Sequence, residues 1–205
     1  SLVGDSFSIG HEVVDILVGL LALVISFGFT AIVMSKLPLT YSGFFIALIA
    51  LSFFGGIYSQ KGLAKKMGFQ SRYVLTKLGL LLTLIMTIAP FKFLSPGTVI
   101  IPEIYLMTKK QQGWVSAISP SLNIFLGAVY VFLGWLLPYP NIALLFVNGA
   151  FFCSQIALLS LIPFFGSSGK RVLRWNPIIF TVLLILGLGI IVGSTLLGIL
   201  VWNIG

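Results

Sequence analysis

VLTKLGLLLTLIMTIAPFKFLS, running from Val74 to Ser95, is the stretch whose reading decides the fold. It is apolar and about as long as a bilayer-crossing helix, which needs roughly 20 residues. Its second half carries Pro90 and Lys92 and runs into Ser95, Pro96 and Gly97, residues that interrupt a helix. If the stretch crosses, the chain has six spans. If it dips in and returns, the chain has five.

The flanking sequence settles the class. The chain has 205 residues, 59% of them hydrophobic and 8% charged, with a mean hydropathy of +1.15. Soluble domains carry about 25% charged residues, so this chain cannot cover itself with a water-compatible surface. Clear apolar runs fall at 12–35, 40–58, 115–137, 141–165 and 177–203. Glu12 and Asp15 lie in the first turn of the first run, where negative charge suits the helix dipole. Residues 59–73 are polar and basic. Residues 98–113 read as a short strand, Thr98 to Ile101, followed by a polar loop, and Pro138, Tyr139 and Pro140 make a tight turn.

Charge then decides between five and six spans. Basic residues concentrate in short cytoplasmic loops. With six spans they divide almost evenly. With 74–95 re-entrant, eleven of the twelve lie on one side and Lys36 stands alone on the other. The expected fold is an all-α polytopic membrane bundle of five spans plus a re-entrant, strand-containing segment, with six spans as the alternative. The N-terminus is expected in the cytoplasm and the C-terminus outside. A single integral membrane domain covers 1–205, with its core at about 40–180.

The net charge of +8 is a topology signal here and does not imply nucleic acid. Lys61, Lys65, Lys66 and Arg72 could also meet anionic lipid headgroups. Cys153, the one cysteine, reads as a small core residue. Residues 1–11 lack the basic region of a signal peptide. Gly189 and Gly193 form a G-x-x-x-G on the last span, a close-packing face for another helix.

Four pieces in order carry a resemblance. They are Lys61 to Gly68, Pro96-Gly97-Thr98-Val99, Ile118 to Asn123, and Ser160 to Gly169. Together they resemble the site-2 protease family of intramembrane zinc metalloproteases, in its compact archaeal form without a PDZ domain. That family has H-E-x-x-H before a Lys-x-x-Ala-x-x-x-Gly stretch, then Pro-Gly-x-Val, A-G-P-x-x-N and N-L-I-P-x-x-x-L-D-G. The resemblance aligns the first metal histidine with Gly56, the general-base glutamate with Ile57 and the second histidine with Gln60. The metal aspartate aligns with Ser168, and the asparagine before Ile-Pro with Ser160. Zinc hydrolysis needs two imidazoles a turn apart, a third ligand and a carboxylate base. These residues supply none of them, so no metal or other cofactor is expected.

His11, Glu12 and Asp15 read as H-E-x-x-D, but no second histidine exists in the chain, and a polar helix start accounts for them. There is no Walker motif, dinucleotide glycine pattern or catalytic triad. The expectation is a non-catalytic scaffold or accessory subunit that binds other transmembrane helices, with a free-standing pseudoprotease that escorts substrates as the alternative. An active metal-dependent hydrolase is the remaining reading. Partner contact is expected at Gly55, Gly56 and Ser59 beside the vestigial site, or at Gly189 and Gly193.

Overall fold

A computed structural model of the chain describes residues 6–34, 36–85, 87, 96–137, 139–162 and 167–204. It is an all-α polytopic bundle with one small sheet. In chain order the elements begin with β1 (Ser6–Phe7), α1 (Glu12–Phe29, continued by a π turn over Thr30–Met34), α2 (Ser42–Lys66) and β2 (Arg72–Thr76). They continue with α3 (Lys77–Ile85), β3 (Gly97–Ile100), α4 (Lys109–Leu136), α5 (Pro140–Leu161), α6 (Ser167–Trp175) and α7 (Pro177–Ile204). Among the described residues, five helical stretches are long and apolar enough to cross a membrane: Glu12–Val33, Leu39–Lys66, Lys109–Leu136, Pro140–Leu161 and Pro177–Leu200.

Among the described residues, the deciding stretch does not supply a sixth. Its described helical part, α3, has 9 residues and reaches about 14 Å, under half of a roughly 30 Å hydrocarbon core. β2 and β3 pair antiparallel, with Leu75 opposite Gly97 and Arg72 opposite Ile100. The chain therefore leaves the sheet after β2 and rejoins it at β3. Residues 88–95, including Lys92, lie outside the described residues. β1 completes the order β1-β2-β3 by pairing Phe7 with Leu75.

Several boundaries differ from expectation. α2 runs beyond the apolar residues to Lys66, because its last turns are held by packing. Ala64 is fully buried in a cluster with Ile101, Met107 and Val115. Lys65 and Lys66 complement the negative end of the helix dipole. Gly68, at φ +85°, then terminates the helix in the left-handed conformation glycine tolerates, with Phe69 N donating to Ala64 O. α4 starts at Lys109, earlier than 115, because Thr108 and Gln111 form a reciprocal capping box. The fourth span ends at Leu161, and residues 167–175 form a separate short helix.

α4 is the central helix and packs against α2, α5, α6 and α7. The core is aliphatic and aromatic: Leu23 and Phe27 of α1, Ile49 of α2, Ile124 of α4, and Phe152 and Cys153 of α5. The Phe27 and Phe152 rings meet edge to face at 4.6 Å. Cys153 is a buried core residue, as its apolar context implied.

One end of the bundle collects the start of α1, the end of α2, the sheet, the starts of α4 and α7, and α6. Ten of the described basic residues lie in the segments at that end: Lys61, Lys65, Lys66, Arg72, Lys77, Lys109, Lys110, Lys170, Arg171 and Arg174. Lys36 lies in the turn between α1 and α2, at the other end.

Candidate functional site

The residues aligned with the metal motif lie where α2 meets α4. Gly56 is buried, and a Cβ on it would sit 2.7 Å from Ser119 Oγ and 3.3 Å from Asn123 Nδ2. A Cβ on Gly55 would sit 2.9 Å from Leu122 Cδ2. The absence of side chains at these glycines is thus matched by side chains of α4. Ile57 belongs to the apolar core. Ser59 Oγ donates to Gly56 O at 3.0 Å, and Gln60 Nε2 donates to Val115 O at 3.3 Å.

A polar chain runs through this contact. Ser52 Oγ of α2 donates to Asn123 Oδ1, and Asn123 Nδ2 donates to Ser119 O at 3.1 Å. Ser52 and Asn123 are 0% and 1% exposed. Buried polar groups are costly unless paired, and here each finds its partner within the bundle.

Ser168 approaches α4 from another side. Its Oγ accepts from Arg171 Nη2 at 3.3 Å, and Arg171 Nε donates to Ser116 Oγ at 2.7 Å. Burial pushes Arg171 down to about 10, so it remains a cation at neutral pH. Trp175 closes the junction over Gly113, where a Cβ would fall 2.3 Å from the indole. Ser116 and Ser119, one turn apart on α4, therefore face α6 and α2 respectively. Gly56 and Ser168 are brought to one helix but contact different serines of it.

Other expected residues fall elsewhere. Ser160 Oγ bonds Ile156 O at 2.8 Å, within α5. On α7, a Cβ at Gly189 would meet nothing within 4 Å, and one at Gly193 would meet only Val131 Cγ1, at 3.9 Å. Arg171, Ser116 and Ser52 did not stand out in the sequence, whereas Ser119 and Asn123 lie inside the Ile118 to Asn123 piece. Isolated serines and one arginine of a basic run carry no local signal of a contact 55 or 71 residues away.

The H-E-x-x-D segment is built into the sheet. Glu12 Oε1 accepts from Lys61 Nζ at 2.5 Å and from Tyr73 N at 2.7 Å. Asp15, fully buried, accepts from Ile9 N at 2.8 Å through Oδ1, and its Oδ2 lies 3.9 Å from Arg72 Nη2. Burial, with Asp15 nearby, raises the Tyr73 pKa above its ordinary value and keeps the phenol neutral. Both carboxylates thus anchor α1 to the end of α2 and to β2.

The donor chemistry does not fit zinc. Gly56 and Ile57 offer no ligand atom, Gln60 and Ser168 offer only neutral amide and hydroxyl oxygens in place of the thiolate, imidazole or carboxylate that zinc takes, and Ser168 already accepts from a guanidinium. A fixed cation at that position repels a second one. Among the described residues, no three of His, Cys, Asp and Glu are grouped so as to hold a metal.

The fold and these contacts define a multi-pass membrane protein, with five long apolar helices among the described residues and a small sheet at its basic end. The chain is similar to the protein of Methanocaldococcus jannaschii described as "Putative zinc metalloprotease", at 28% identity over 182 residues, covering 84% of this chain and 88% of that one. No family model matches the chain, and no solved structure matches it.

Proposed function

We propose that this chain is a degenerate, non-catalytic member of the site-2 protease family that holds other membrane helices as an accessory subunit of a larger complex. The observation that carries this reading is the contact at Gly56. The positions of the two histidines, the general base and the aspartate hold Gly56, Gln60, Ile57 and Ser168, and Ser119 and Asn123 of α4 pack where a histidine side chain would leave the helix. Likeness to a protein named as a zinc metalloprotease over most of both chains supports the ancestry. It is also what favours the second reading, a metal-dependent hydrolase. The charge distribution supports a cytoplasmic N-terminus and an external C-terminus.

Purification in mild detergent tests the proposal. The expected result is zinc far below one atom per chain, together with other membrane subunits in fixed stoichiometry. About one zinc per chain, lost on His11→Ala, would favour the hydrolase. Absence of any fixed partner would favour a free-standing escort. Gly189→Leu adds bulk only to open space, so it is expected to leave the fold intact and reduce partner recovery.

Topology has its own test. Cysteines at Gln70 and Lys110, both exposed, in a Cys153→Ala background should label from the cytoplasmic side. Labelling from opposite sides would overturn the five-span arrangement.

A further inference from the structure

The last two turns of α2 and the segment that follows them line an open cleft of about 480 Å³. One wall is a single face of the helix, Tyr58, Lys61, Gly62 and Lys65, at the i, i+3, i+4 and i+7 spacing that aligns side chains. Phe69 and Ser71 form part of the other. Gly62 leaves the floor open, since a Cβ there would meet nothing within 4 Å.

The helical face is graded along its length. Tyr58, 57% exposed, lies about 10 Å along the axis from Lys65, toward the apolar part of the span. The Lys61 ammonium is held by Glu12. Lys65 is exposed and makes no ion pair among the described residues. An aromatic ring below a lysine is the arrangement of a helix leaving a bilayer, where the ring sits at headgroup depth and the ammonium reaches outward. The end of the bundle that carries the cleft is strongly basic, with Glu12, Asp15 and Glu103 as its described acids. A bare anion would gain nothing from Tyr58 and Phe69, whereas an amphiphile with an anionic head would use both parts.

We propose that this cleft binds the headgroup of an acidic phospholipid, with the phosphate against Lys65 and the acyl chains descending α2 past Tyr58. The site is independent of whether the chain is catalytic. Native mass spectrometry of the intact, detergent-solubilised chain, titrated with phosphatidylglycerol or phosphatidylcholine, tests it. One phosphatidylglycerol should be retained about fivefold more tightly than phosphatidylcholine. Lys65→Gln and Gly62→Leu, both at exposed positions, should each abolish that preference without lowering the thermal midpoint. Lys109→Gln, an exposed lysine at the same end, should leave it unchanged. Equal retention of the two lipids would overturn the proposal. So would an equal loss in Lys109→Gln, which marks a diffuse field, or displacement of phosphatidylglycerol by millimolar inorganic phosphate, which marks a site for a free anion.

Discussion

Gly56→Leu is expected to destabilise the bundle by about 2–3 kcal/mol, the upper range for inserting bulk into a packed core. The first added carbon already meets Ser119 Oγ at 2.7 Å and Asn123 Nδ2 at 3.3 Å. Neither neighbour is the free end of a long side chain. Asn123 is fixed by Ser52 and by its own bond to Ser119 O, so making room means breaking that chain or separating α2 from α4. Gly62→Leu, two turns on and facing open space, should cost nothing and gain some helix propensity. Unfolding of the two variants side by side in detergent gives the comparison. Equal midpoints would mean that α4 does not pack against Gly56 as described, and that face of α2 would be open to a partner helix.

Glu12→Ala should lose about 2 kcal/mol, in the range for hydrogen bonds to a charged group. It removes the acceptor of both Lys61 Nζ and Tyr73 N. The loss should be local to one end, so protease cleavage in the 69–76 segment should accelerate more than global unfolding does. Glu12→Gln keeps an acceptor for Tyr73 N but gives up the ion pair, and should fall between the two. If Glu12→Ala leaves cleavage unchanged, the sheet is held by its strand pairing alone.

The long apolar runs and the one-sided distribution of lysine and arginine make the five spans legible in the sequence, because both depend only on local composition. Elements whose stability comes from distant partners are not legible there. The last turns of α2 look polar in sequence and are helical because Ala64 and Gln60 pack against residues after 100. Arg72 to Thr76 straddles the end of the basic run and the start of the apolar stretch, and becomes a strand only by pairing with residues 97–100 and 6–7. α6 is nine residues of serine, glycine, basic and apolar side chains, too short to read as a span. At the candidate site, the aligned positions Gly56, Gln60 and Ser168 can be named from motif order. That Ser116 and Ser119 of α4 receive them cannot, since an interhelical contact leaves no trace in either segment alone.

The sheet order carries a consequence for how the protein is made. β1 lies at residues 6–7, but its partner strand contains Leu75 and Thr76. At a synthesis rate of 5–20 residues per second, the first strand waits roughly 4–14 s for the second to be made. For most of that interval α1 stands with Glu12 and Asp15 at its end and neither Lys61 nor Arg72 yet available to neutralise them. The first helix is thus a provisional tenant of the bilayer, seated for good only when the strand made after the second helix folds back over it. Nascent chains arrested before Thr76 should leave residues 6–15 open to soluble reagents, and chains arrested well beyond Ile100 should shield them.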